Sequence, residues 1–226
     1  MKVLHTSDLH GRYQDLLEVL DTQDVDVWVD TGDFFPNKTR GQVPIEIPHQ
    51  TKWALKWTKC AFRLAELLKR KNIPLISVSG NHDFVSLAAI IKRADSKVQA
   101  FDISSPEKAV SVKGLKFAGF REINFLEGEW AGELHTAGFK DLVNRTFDQD
   151  PDVLVTHSPP SGILDAVGRG HSDGIAYLTT LLTYRPHVLK AHLFGHVHED
   201  GGKTVQEMGV LFSNAATARN GVLLEI

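Results

Sequence analysis

Five short polar motifs each follow a run of apolar, β-forming residues, and this arrangement limits the fold of the chain more than any other feature. The motifs are Asp8-Leu9-His10, Gly32-Asp33, Gly80-Asn81-His82-Asp83, Thr156-His157 and Gly195-His196-Val197-His198. In open α/β sheets, binding sites lie outside the carboxyl ends of the strands. The shared placement therefore predicts that residues between positions 8 and 198 meet in one pocket.

The hydrophobic pattern predicts alternating strands and helices in the first half and mostly strands in the last quarter. Strands are expected at 2–7, 25–30, 73–78, 98–103, 152–156 and 189–194, with a hairpin at 109–120 and three short strands at 203–226. Helices are expected at 13–20, 53–68, 87–91, 133–147 and 173–183. Residues 36–50 contain three prolines and a glycine and are expected to form a long loop. The length of 226 residues predicts a single domain, 1–226.

The motifs supply carboxylate, amide and imidazole groups without a thiolate, in a number that suits two divalent cations. Such a nitrogen and oxygen set fits Mn, Fe, Zn, Ni or Co. Asp8 and His10 are two residues apart, so an extended backbone would turn both towards one ion, and the same holds for His196 and His198. Asp33 has two oxygens and is able to bridge a pair of ions.

The third motif combines a metal ligand with a candidate catalytic residue. Asn81 offers a neutral carbonyl oxygen. His82 is interpreted as a catalytic residue near the substrate, and Asp83 as the hydrogen-bond partner that fixes its tautomer. His157 follows a strand, where a single histidine is usually structural, so its assignment as a ligand depends on the complete set.

Charge and hydropathy restrict the partners. The net charge of −3 disfavours broad binding to nucleic acid, which needs a basic surface. Apolar runs are shorter than the ~20 residues of a membrane span, and the N-terminus is too short and polar for a signal peptide, so a cytoplasmic protein without a membrane partner is expected. The net charge does not exclude a small phosphate ester, because metal ions can supply positive charge locally. Arg12, Arg121, Arg169 and His171 are further candidate contacts to such a substrate.

The complete motif set resembles the calcineurin-like metallophosphoesterase superfamily. The resemblance implies an α/β fold, a double β-sheet sandwich flanked by helices (αββα). It further implies that Asp8, His10 and His198 hold one metal ion, and that Asn81, His157 and His196 hold a second. Asp33 would bridge the two ions, and His82 would contact the substrate phosphate or the leaving group.

Details of the motifs resemble two branches of that superfamily. The segments His157-Ser-Pro-Pro-Ser161 and Phe194-Gly-His-Val-His-Glu199 are similar to small class III-type cyclic-nucleotide phosphodiesterases, as are Gly119-Phe-Arg121 and Asn214-Ala215. The opening His5-Thr-Ser-Asp8 and the aspartate at position 83 look more like the nuclease branch. The leading expectation is hydrolysis of a small cyclic-nucleotide-type phosphodiester by a hydroxide that bridges two metal ions. A DNA nuclease, a phosphomonoesterase and a non-catalytic metal-binding module remain alternatives, and the oligomeric state is left open.

Overall fold

A computed structural model describes residues 1–39, 42–168 and 171–226. Within these residues the helices are α1 (Gln14–Thr22), α2 (Val43–Lys71), α3 (Leu87–Ala94), α4 (Thr136–Phe147) and α5 (Ala176–Tyr184). The strands are β1 (Lys2–Thr6), β2 (Val27–Asp30), β3 (Leu75–Ser77), β4 (Ala100–Asp102), β5 (Val110–Val112), β6 (Leu115–Phe120), β7 (Ile123–Asn124), β8 (Glu133–Leu134), β9 (Val153–Thr156), β10 (Ala166–Val167), β11 (His171–Ser172), β12 (Ala191–Phe194), β13 (Lys203–Glu207), β14 (Val210–Asn214) and β15 (Val222–Glu225).

Two large sheets form the centre of the fold. The first has the order β15-β1-β2-β3-β4, in which β1 to β4 are parallel and β15 is antiparallel to β1. The second has the order β13-β14-β12-β9-β6-β5, with four parallel inner strands and an antiparallel strand at each edge. Two-stranded ribbons, β7 with β8 and β10 with β11, stand apart from these sheets. The predicted hairpin at 109–120 and the three C-terminal strands are confirmed.

The alternation of side chains along the strands produces three buried layers. Val27 and Val29 of β2 pack between the sheets, against residues such as Phe117 and Val155 of the second sheet. Trp28 points to the other face, where it joins the core under α1, α2 and α3. Helices α4 and α5 cover the outer face of the second sheet. The expected double sandwich flanked by helices is therefore confirmed.

The predicted loop at 36–50 is wrong from residue 43 onward, because α2 begins at Val43. Pro44 lies in the first turn, where a missing N–H removes no helical hydrogen bond. Pro48 lies inside the helix, where proline is normally unfavourable. The buried side chains of Glu46 and Gln50 bind backbone groups of neighbouring loops and anchor this first part of α2. Tertiary contacts thus outweigh local propensity here.

Helix α2 is the longest of the described helices, and its composition is mixed rather than apolar. In the part of the chain that the structure describes, we find no helix with the length and hydropathy needed to cross a membrane.

Candidate metal centre

The motifs lie in tight turns at the carboxyl ends of β1, β2, β3, β9 and β12. The backbone is not extended there, which corrects the sequence-based expectation for both Asp-x-His and His-x-His. Asp8, His10 and His196 have φ angles of 53°, 47° and 68°, in the left-handed region. The chain turns immediately after each strand, so the side chains converge through turns and not through the two-residue repeat of a strand.

Backbone hydrogen bonds join the first two turns side by side. The Asp8 N–H donates to the Gly32 carbonyl over 2.8 Å, and the His10 N–H donates to the Asp33 carbonyl over 2.8 Å. Gly32 has a φ of 103°, and a Cβ atom there would collide with the backbone of Gly80. A glycine at position 32 is therefore required for the second and third turns to pack together.

The first group of ligand atoms comprises Asp8, His10 and His198, whose candidate donor atoms lie within 4.8 Å of one another. The His198 Nε2 atom is 3.1 Å from Asp8 Oδ1, and the His10 Nε2 atom is 3.9 Å from the same oxygen. Asp8 is buried, whereas the side chain of His198 is 48% exposed. This half of the centre is thus open to solvent.

The second group comprises Asp8, Asp33 and His157, all of them buried. The Asp33 Oδ2 atom is 3.5 Å from His157 Nε2 and 4.0 Å from His10 Nε2. Asp33 therefore lies between the two groups, as a bridging carboxylate would. Its second oxygen accepts the His82 N–H over 2.8 Å, which fixes the carboxylate plane.

Asn81 completes the second group, since its Oδ1 atom lies 2.9 Å from His157 Nε2. The other ring nitrogen of His157 is 2.7 Å from the Thr31 carbonyl oxygen, which only accepts hydrogen bonds. Nδ1 must therefore carry a proton, and in the neutral ring Nε2 is unprotonated and presents a lone pair. That lone pair, the amide oxygen and the Asp33 carboxylate all face one another, a donor set that suits a cation.

His196 lies close to this group but has an additional partner. Its ring centroid is 5.0 Å from that of His157, and its Nε2 atom is 3.0 Å from Asp173 Oδ2. Asp173 is held in turn by Asn124, whose side-chain amide donates to the Asp173 carbonyl over 3.1 Å. The sequence reading missed Asp173, although an acidic residue in a glycine-rich loop was the available signal.

His82 lies at the edge of the centre. Its Nε2 atom is 3.8 Å from Asp33 Oδ2, and its ring makes edge contacts with His10 and Trp130 at centroid distances of 5.2 and 4.4 Å. The ring is one-fifth exposed, so it can reach a molecule bound at the centre. Burial and the neighbouring histidines outweigh Asp33 and lower the pKa of His82.

The role expected for Asp83 as the partner of the His82 ring is wrong. Both Asp83 oxygens accept backbone N–H groups, from Asp33, Phe34, Gly80 and Phe35, at 2.6, 3.4, 2.9 and 3.2 Å. Four amides converge on this carboxylate because the second and third turns are packed together. Asp83 thus joins the turns that carry Asp33 and Asn81. Burial and the Asp33 charge raise the pKa of Asp83 to about 6.

Two of the four candidate substrate residues donate hydrogen bonds to backbone carbonyl groups. The Arg121 guanidinium donates to the carbonyl oxygens of Gly80 and Asp83 over 2.9 and 2.8 Å, so it braces the turn that contains Asn81 and His82. Exposed Arg12 donates to Leu9 over 3.2 Å. His171 is exposed on the β10–β11 ribbon. The nearby Asp173, and not His171, contacts a ligand residue of the centre, His196. Arg169 lies outside the described residues.

Helix α2 supplies supporting contacts from Glu46 and Gln50, two residues that the sequence analysis placed in a loop. The Gln50 side chain donates to the His82 carbonyl and accepts the Phe84 N–H over 2.9 Å. Glu46 accepts the N–H groups of Lys38 and Thr39, which holds the segment after the second motif. In that segment, the Asn37 side-chain amide lies 3.3 Å from His10 Nδ1. Periodicity alone could not reveal these contacts because they join distant parts of the chain.

The carboxylates and histidines of the centre shift one another's pKa values. Burial opposes ionisation of Asp33, but His157, His82 and His10 outweigh it and lower the pKa of Asp33. Burial likewise opposes protonation of His157, but Asp33 and Asp8 outweigh it and raise the pKa of His157 to about 9. A hydrogen bond that the His198 ring donates to the Asp8 carboxylate raises the pKa of His198. The carboxylates therefore attract positive charge, whether it is carried by protons or by metal ions.

Comparison with known proteins agrees with this geometry. A 72-residue segment of the chain is 38% identical to UPF0046 protein K07C11.7 of Caenorhabditis elegans, and the match covers 32% of this chain and 23% of that protein. A solved crystal structure superimposes with a TM-score of 0.62 at 16% identity, over 94% of this chain and 89% of its own, which is a likeness of fold alone. Residues 1–200 match the family described as calcineurin-like phosphoesterase. The chain therefore belongs to the calcineurin-like phosphoesterase family, whose members are metal-dependent phosphoester hydrolases that typically use two divalent ions.

Proposed function

We propose that the protein is a binuclear metal-dependent phosphodiesterase that hydrolyses a small cyclic-nucleotide-type ester. The observation that carries the proposal is the position of Asp33 Oδ2 between His10 Nε2 and His157 Nε2, at 4.0 and 3.5 Å. One carboxylate oxygen thus faces both groups of ligand atoms. Asp8, His10 and His198 would hold one ion, Asn81, His157 and His196 the other, and Asp33 would contact both.

The donor set fits this cofactor. In the neutral ring, His157 Nε2 and Asn81 Oδ1 are two acceptors that face each other at 2.9 Å, an arrangement that a cation would stabilise in place of the ring proton. Oxygen and imidazole donors suit Mn, Fe, Zn, Ni or Co. When bound, a pair of such ions supplies a water-derived nucleophile near neutral pH and positive charge for the phosphate oxygens.

The residues of the chain perform the remaining tasks. His82 lies beside the centre and is accessible, so it would stabilise charge on the leaving oxygen or donate a proton to it. Arg121 and Gln50 hold the turn that carries His82, through its flanking carbonyl and amide groups. The Asp33 carboxylate fixes the same turn by accepting the His82 N–H.

A substrate panel with Mn²⁺-loaded protein tests the proposal. It contains bis-p-nitrophenyl phosphate, p-nitrophenyl phosphate, 2′,3′- and 3′,5′-cyclic nucleotides and single-stranded DNA. We expect turnover of the diesters and cyclic nucleotides. Turnover of DNA alone would indicate the nuclease branch, turnover of the monoester alone a phosphomonoesterase, and no turnover with two metals bound a non-catalytic module.

Three variants assign the activity to this site. Asp33→Asn and His82→Ala should each lose at least about 100-fold in kcat, within the range for loss of an acid–base or electrostatic catalytic group. His187→Ala is the control, because His187 packs on Phe147 in the outer helix layer. Wild-type turnover by both site variants would refute the assignment.

A further inference from the structure

A groove of about 400 Å³ lies between the start of α2 and the segment that joins β7 to β8. Its walls are formed by Gln42, Val43, Pro44 and Ile45 on one side and by Gly128 and Glu129 on the other. Val43 and Ile45 are 37% and 39% exposed, so they present apolar surface that the rest of the described chain leaves uncovered. The volume lies within the ~300–1,000 Å³ typical of small-molecule sites.

On both sides of the groove, residues that follow the wall in sequence contact His82 or the turn that contains it. On one side, Glu129 is followed by Trp130, whose ring packs 4.4 Å from the His82 ring, and by Ala131, whose N–H donates to Asn81 over 3.1 Å. On the other side, Ile45 lies five residues before Gln50, which binds the His82 carbonyl. At 1.5 Å per residue, that separation is about 7–8 Å along the helix.

The groove thus begins about 7–8 Å along α2 from the residue that holds the His82 turn, a separation comparable to the size of one aromatic ester group. If the phosphate lies at the metal centre, a ring attached to it extends past Trp130 towards Val43 and Ile45. We propose that the groove binds an uncharged aromatic or nucleobase-type ester group of the substrate. The proposal rests on the function proposed above and adds to it the class of ester.

The charge of the groove separates small esters from polynucleotides. Within the lining that the structure describes, the charged residue is Glu129. A carboxylate repels a further phosphate, so a nucleic acid strand that continued along this path would be unfavourable. The groove thus fits a diester that carries a single negative charge and a flat apolar group.

Binding and turnover measured separately test the inference. Diphenyl phosphate and dimethyl phosphate, titrated calorimetrically into Mn²⁺-loaded protein, differ only in the apolar group. We expect diphenyl phosphate to bind at least about tenfold more tightly, which is the scale of a lost apolar contact in a pocket. The double variant Val43→Ser/Ile45→Ser should remove this preference and leave dimethyl phosphate binding unchanged.

Ile47→Ser is the matched control, because Ile47 is a similarly exposed side chain on the same helix, outside the groove. Equal affinity of wild-type protein for the two phosphates would overturn the inference. Loss of the diphenyl phosphate preference in Ile47→Ser, to the same extent as in the double variant, would also overturn it. Hydrolysis of methyl p-nitrophenyl phosphate is measured in parallel as kcat at saturating substrate, so that it reports on the proposed function and not on affinity for the aromatic group. A preference for diphenyl phosphate without hydrolysis would refute the function and support the groove.

Discussion

His157 Nε2 and Asn81 Oδ1 lie 2.9 Å apart, and the only ring proton that the neutral histidine can carry is directed at the Thr31 carbonyl. The contact is favourable only when Nε2 is protonated or when a cation lies between the two acceptors. Asp33 and Asp8 overcome the effect of burial and raise the pKa of His157 to about 9, so the metal-free ring is protonated at pH 7. Metal binding must therefore displace a proton.

We predict that Mn²⁺ binding at pH 7 releases about one proton from His157, and that affinity rises as the pH is raised towards 9. Calorimetric titration of chelator-treated protein in two buffers of different ionisation enthalpy measures this release. His157→Gln should reduce the number of released protons by about one. Release that is identical in the variant would contradict the account of His157.

Arg121 provides a second prediction because it contacts backbone carbonyls and not the open part of the centre. Arg121→Met should leave the Gly80 and Asp83 carbonyls without their donor, which costs about 1–3 kcal/mol in the free energy of unfolding. Metal affinity should fall because Asn81 lies in the same turn. Denaturant unfolding and metal titration measure both effects, with Arg185→Met as the surface control. A raised KM with unchanged stability would instead indicate a substrate contact.

The sheets and the candidate metal ligands could be predicted from the sequence, whereas the turns and the long-range contacts could not. The strand runs and the motifs after them were sufficient for the two sheets and for the convergence of Asp8, Asp33 and His157, because parallel strands end at one edge. They did not predict the backbone conformation at Asp8 and His196, because a residue in a left-handed turn produces no periodic pattern in the sequence. Long-range contacts such as that of Gln50 with the His82 carbonyl depend on the packing of a helix whose start contains two prolines.

Asp173 provides a third prediction through its 3.0 Å contact with His196 Nε2. A carboxylate that accepts a hydrogen bond from a ligand histidine orients the ring, and losing such a partner typically weakens metal binding about 10–100-fold. Asp173→Ala should show that loss for one of the two ions, whereas Asp173→Asn keeps an acceptor and should lose less. Equilibrium dialysis with elemental analysis gives the stoichiometry and affinity. Two ions bound by Asp173→Ala with wild-type affinity would exclude this role.

Two histidines away from the metal ligands predict how stability depends on pH. His5 and His192 are fully buried, and desolvation by burial lowers the pKa of each to about 3. Near pH 6.5 and below, the unfolded chain gains protons that the folded protein does not bind. The stability linked to each histidine is therefore fully present above pH 6.5 and is lost as the pH falls towards 3. The loss approaches about 1.4 kcal/mol per pH unit for each group.

His192→Met should reduce the slope of unfolding free energy against pH by the amount that corresponds to about one proton. The substitution removes the Nδ1 atom, which has no hydrogen-bond partner among the described residues, and the 2.8 Å contact of Nε2 with the Thr156 hydroxyl. That hydroxyl still donates to the Ser158 carbonyl over 2.6 Å. Urea unfolding of chelator-treated protein between pH 7 and 4 gives the slope of unfolding free energy against pH. The same change at exposed His171 is the control and should keep the wild-type slope. An unchanged slope in His192→Met would mean that this ring does not stay neutral in the folded protein.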